Sequence, residues 1–233
     1  MSTVTLPAPT TTTRDARPTR RLIAAILLPV APLSVAVLRG IWPSFSASDT
    51  AGSIQAAAAH PDAQEAVVWL GSLMMLTMVP AMLAAVRLAR RRRPVLAMLA
   101  AGVNLVAYLG TALTTGDLLT LVAARDGYDR GEMVGFIDAM NAHPTAVISI
   151  VLFVVGHIVG MILLGAALWR IIPAWASVAL IVSQPLHFVA YVVLQAQALD
   201  ALAWGLTAAG FAACALKVLR TPDDAWDLAP TQS

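Results

Sequence analysis

An all-α bundle of six membrane-spanning helices with both termini cytoplasmic is the fold class this chain predicts. Three observations carry it. Hydrophobic residues fill 59% of the 233 positions and charged residues only 12%, about half the charged share of a soluble domain; mean hydropathy is +0.77. Six apolar stretches approach the ~20 residues that a hydrocarbon core of ~30 Å requires. Finally, Lys and Arg divide twelve to three between the two sides of those stretches, and the basic side of a multi-pass protein faces the cytoplasm. So few charges exclude a water-soluble enzyme, a disordered chain and a nucleic-acid reader. The bilayer is the expected partner and the cell membrane the expected location. Fourteen Arg against one Lys suggests a GC-rich bacterial genome.

Residues 1–20 read as a cytoplasmic tail, Thr- and Pro-rich and disordered, and 221–233 as a second such tail around one domain spanning 21–220. The first span, 22–38, follows Arg20 and Arg21. That pair resembles an export signal, but five further spans favour an uncleaved helix anchored by its arginines. Span two, 66–86, contains Pro80, which membrane helices tolerate when neighbours satisfy the freed carbonyl. The remaining spans are 95–113, 146–168, 171–194 and 202–219. Trp42, Trp69 and Trp204 fall at the outer boundary, and Trp169 and Trp175 at the inner one, as interfacial belts. The outer loops 40–65 and 116–145 are longer than simple connections. In the second, Met133, Phe136, Ile137 and Met140 recur at helical spacing, which predicts an amphipathic helix at the outer surface.

An offset of 83 residues aligns Ile54, His60, Pro61, Arg87, Val106, Ala107 and Tyr108 with Ile137, His143, Pro144, Arg170, Val189, Ala190 and Tyr191. The register holds fourteen identities over 55 positions without a gap. It indicates an internal duplication, spans two and three matching spans four and five. Parallel repeats are related by an axis along the membrane normal, so matched polar edges should face a shared centre. His60 and His143 precede prolines, which favour the first helical position; they read as helix-entry residues, since two imidazoles without a third ligand make a poor metal site.

Polar side chains in a membrane usually face the bundle interior. Span three carries Asn104, Tyr108, Thr111 and Thr115, and span five Ser183, His187, Tyr191 and Gln195, each at spacings of three or four that share one helix face. Gln184 lies beside the second stripe. Span six adds Asp200, Trp204 and Thr207, and span four His157 between Gly156 and Gly160; that Gly pair permits close approach of a neighbouring helix. Asn104, Tyr108, Thr111, His157, Ser183, His187, Tyr191 and Thr207 thus become candidate residues of an outward-facing polar pocket for a small molecule or lipid headgroup. Two alternatives stay open. His157 and His187 could serve redox chemistry, with haem the one cofactor in view, or handle protons; or the stripes are interhelical hydrogen bonding in a structural subunit, alone or with a partner membrane subunit or a second copy. No HExxH, Walker or GxSxG motif occurs, so the chain reads as non-enzymatic. The lone Cys214 excludes dithiol chemistry.

The stretch from His157 through Gly160 to Gly165, followed by Trp169, Arg170, Ile172, Pro173 and Trp175, resembles small six-helix bacterial integral membrane proteins grouped as a family of unknown function. The resemblance implies the fold and supplies no activity or ligand.

Overall fold

A computed structural model describes residues 15–111, 116–125 and 127–227, the side chain of Thr111 excepted. Thr115 and the outermost tail residues, 1–14 and 228–233, lie outside the described residues. Among the described residues the regular elements are all helices: α1 (Arg17–Ile41), α2 (Thr50–Ala59), α3 (Pro61–Ala89), α4 (Pro94–Thr111), α5 (Gly116–Ala123), α6 (Arg130–Ala142), α7 (Pro144–Leu168), α8 (Ala174–Phe188), α9 (Gln197–Leu219) and α10 (Asp223–Trp226). Helix α8 continues into a π-helical turn over Val189–Val193. Five helices are long and apolar enough to cross a membrane: α1, α3, α7, α8 with its π turn, and α9. Helix α4 is apolar over the shorter run Pro94–Gly110.

Local chemistry fixes the ends. Pro61 and Pro144 open α3 and α7 behind the caps His60 and His143, as the His-Pro pairs predict. The His143 ring accepts from the Thr145 N–H, whereas His60 makes no capping bond through its side chain. Asp49 and Asp129 cap α2 and α6 by accepting from the N–H groups of Gly52 and Glu132.

The long helices follow one another around the bundle. Helix α1 packs on α3, α3 on α4, α4 on α7, α7 on α8, α8 on α9, and α9 returns to α1. Leu28, Met78, Met82, Met161, Leu164, Leu180 and Phe211 fill the core. The outside is also apolar: Ile23 and Ile26 on α1, Leu76 on α3, Val151 and Val155 on α7, and Leu202 on α9 are all exposed. Lipid tails solvate such a surface and water does not. At the end opposite the Arg-rich one, α2, α5 and α6 form a small cap around Ile54, Ala123 and Ile137. The expected amphipathic helix is α6, but only Ile137 of its apolar face is buried; Phe136 and Met140 stay exposed.

Four expectations change. The polar stripes of α4 and α8 do not face one another, because α4 packs on α3 and α7 while α8 packs on α7 and α9. Gly156 and Gly160 are the reason. A Cβ on Gly156 would meet Ala107 at 2.8 Å and one on Gly160 would meet Asn104 at 2.4 Å, so bare backbone there lets α7 settle against α4 and separate it from α8. Trp204 is buried rather than interfacial, since α9 is enclosed by α1 and α8. The amino-terminal tail ends earlier than residue 20: α1 starts at Arg17, whose side chain pairs with Asp15 and Asp224. Of the carboxy-terminal tail, expected to be disordered from 221, Asp223–Trp226 form α10. Trp226 is buried beneath the Arg87 guanidinium, 4.9 Å from the ring centroid, and Asp227 pairs with Arg87 at 2.6 Å and Arg20 at 3.3 Å.

Candidate functional site

Three helix ends meet at the pole away from the arginine-rich turns. Helix α1 delivers Arg39 in its last turn and α9 delivers Asp200 in its first, each charge at the end whose helix dipole suits it. Helix α8 brings His187 one residue before its C-terminal Phe188. Asp200 has no exposed surface, and its two carboxylate oxygens accept from the Arg39 guanidinium and His187 Nδ1. Gln197 completes the junction by donating to the carbonyls of Arg39 at 3.0 Å and Trp42 at 3.1 Å, acceptors that the end of α1 leaves open.

Aromatic rings enclose the charges. The Arg39 guanidinium carbon lies 4.3 Å from the Tyr191 centroid, 4.8 Å from Trp42 and 5.6 Å from Phe45. Tyr191 stacks on His187 at 6.1 Å. His187 in turn lies 5.6 Å from the His157 ring and 5.5 Å from Trp204. His157 stacks on Phe153 at 4.4 Å, and Phe153 meets Tyr108 edge-on at 5.7 Å. A line of rings therefore runs from Tyr108 on α4 across α7 to α8, α9 and the end of α1.

Hydrogen bonding fixes the tautomers. A carbonyl only accepts, so His157 Nδ1 carries the proton that it donates to the Phe153 carbonyl at 2.5 Å. His187 Nδ1 likewise donates to the Asp200 carboxylate. When either ring is neutral, Nε2 is then its basic nitrogen. That of His157 is buried and has no hydrogen-bond partner, as is the Trp204 Nε1 donor.

The sequence candidates separate into two groups. His157, His187, Tyr191 and, through its ring, Tyr108 belong to the aromatic line. Asn104, Ser183 and Thr207 do not reach it through a hydrogen bond: Asn104 donates to the Ala100 carbonyl at 2.8 Å, Ser183 to the Leu180 carbonyl at 3.1 Å, and Thr207 accepts from Gln184 at 2.8 Å. The Thr111 side chain lies outside the described residues. Arg39, Trp42, Phe45, Phe153 and Gln197 were not anticipated. One signal was present, since Arg39 and Asp200 carry opposite charges at the same end of apolar segments. Among the described residues no three His, Cys, Asp or Glu side chains gather as a metal site.

Compared with known proteins, the chain matches no family model, no curated protein and no solved structure.

Proposed function

We propose that this chain is a non-enzymatic, six-span protein of the cell membrane that takes up a proton at the His157–His187 pair. The observation that carries the reading is the buried Asp200 held between Arg39 and His187, with the second imidazole 5.6 Å beyond. Ionisable groups inside a membrane are costly and mark functional sites. Arg39 already neutralises Asp200 formally, so a proton arriving on His187 Nε2 makes a cation that still rests against the carboxylate. Like charges at this separation oppose one another, so the pair accepts one proton and resists a second.

We read the arginine-rich end as cytoplasmic and the histidine site as lying toward the opposite face. The charge bias supports it, and the ion pairs between the start of α1 and residues 223–227 support the start of α1 and α10 lying on the same side. A duplicated origin is supported by two matched pairs. His60 and His143 both cap helices, and Arg87 and Arg170 line one cavity.

Tryptophan emission tests the proton site, because Trp204 lies beside both rings and an imidazolium quenches it. In full-length protein reconstituted in nanodiscs, emission should fall as the pH is lowered and the pair takes up its proton. His187→Gln should remove that transition, and Trp204→Phe should abolish its detection. An identical pH profile in wild type and in the His157→Gln/His187→Gln double variant would refute the reading. A Soret band in the purified protein would assign the pair to haem instead.

A further inference from the structure

A second site lies at the arginine-rich end, where the α3–α4, α7–α8 and α9–α10 connections surround a cavity of about 390 Å³. Seven cations, Arg87, Arg90, Arg91, Arg92, Arg170, Lys217 and Arg220, line it together with Trp226, and among the described residues no carboxylate does. Of the neighbouring acids, Asp223 pairs with Arg21 and Asp224 with Arg17, away from the cavity, and Asp227 bridges Arg20 and the lining Arg87. Of these cations Arg87 pairs with Asp227; the other six form no ion pair among the described residues. Arg87 Nε is buried and also lacks a partner.

Orientation in the membrane requires basic residues near the span ends but not their convergence on one hollow. Nor does it explain Arg170, whose φ of 66° is a left-handed conformation that glycine or asparagine adopts with less strain. Guanidinium forks match phosphate oxygens in pairs, and basic hollows between transmembrane helices suit phosphorylated headgroups. We propose that this cavity binds a phosphate-bearing anion, with Arg170 and Arg220 among its ligands. The shared chemistry is the phosphate group, carried by an anionic phospholipid or by a soluble molecule.

The test uses full-length protein in detergent at fixed ionic strength, with phosphatidylglycerol, phosphatidylcholine and inorganic pyrophosphate as probes and thermal unfolding as readout. Phosphatidylglycerol should raise Tm where phosphatidylcholine does not. The Arg170→Asn/Arg220→Gln variant keeps a residue that tolerates left-handed backbone, and should bind roughly tenfold more weakly or worse. Should that variant not fold, Lys217→Gln must still weaken binding. A pyrophosphate shift matching that of the lipid identifies a soluble ligand; a lipid shift alone identifies the headgroup. Equal shifts with both phospholipids and none with pyrophosphate, or a wild-type response in the variants, overturns the proposal. His187→Gln should leave the response intact, so failure here is separate from failure at the histidine pair.

Discussion

A carboxylate without exposed surface persists in an apolar bundle only while its partners stay in place, and Asp200 has two, Arg39 and His187. Asp200→Asn should destabilise the protein by about 3–5 kcal/mol, since it strands a guanidinium that is itself mostly buried. Arg39→Met/Asp200→Leu should be milder than either single change, because it removes both charges together. Thermal unfolding of Asp200→Asn, Arg39→Met, Asp200→Leu and the double variant in detergent measures the ordering; a double variant worse than both of its singles would show that the pair is not energetically coupled as described. At this scale the sequence displayed the ionisable groups and their common end of the bundle. It did not display the pairing, because Arg39 and Asp200 stand 161 positions apart and which of several polar neighbours an arginine reaches depends on how α1 rotates against α9. The same holds for Asn104 and Ser183, whose stripes were visible but whose hydrogen bonds return to their own helices.

Helix α7 owes its position to absent side chains. Its glycines contact two different partners, Gly160 meeting Asn104 on α4 and Gly165 meeting Ile181 and the Ser177 carbonyl on α8. Gly160→Ala should therefore cost about 1–3 kcal/mol, the usual penalty of overpacking. Much of it should be recovered by Asn104→Ala, which clears the atoms in the way. Gly205→Ala offers the contrast, with nothing within 4 Å of the added methyl; it should be neutral or slightly stabilising through helix propensity. Unfolding midpoints of the four proteins decide between a steric contact at Gly160 and a general cost of replacing glycine in the bundle's helices. The Gly156 and Gly160 spacing announced a close approach from sequence alone. The partner was left undetermined because any neighbouring helix with small residues accepts such a face.

Across the whole molecule, two carboxylates at opposite ends should respond to acid in opposite senses. Arg17 holds Asp15 down to about 2 from an ordinary 3.8, so the stabilisation it lends the Asp15–Arg17–Asp224 contact is present above pH 3.8 and is lost as pH falls toward 2. Burial pushes Asp117 of α5 up, against the opposing pull of Gln64, Arg39 and Trp42. Its protonated form is favoured in the folded cap, so the contribution is present at low pH and lost as pH rises through its raised value. Hydrogen exchange corrected for intrinsic rates should show α5 better protected in mild acid than at neutrality. Asp117→Asn should erase that difference, and a persistent difference would place the titration elsewhere. What the sequence by itself determined was the set of apolar helices, the His-Pro helix starts, the arginine-rich end and the polar residues within the spans. Each follows from composition and short-range periodicity, which act along one segment at a time. Only the tertiary structure decided which edges meet. That outcome depends on the rotation and closest approach of whole helices: with α7 seated against α4 through Gly156 and Gly160, the two stripes contribute only Tyr108, His187 and Tyr191 to a line of rings that runs to the end of α1.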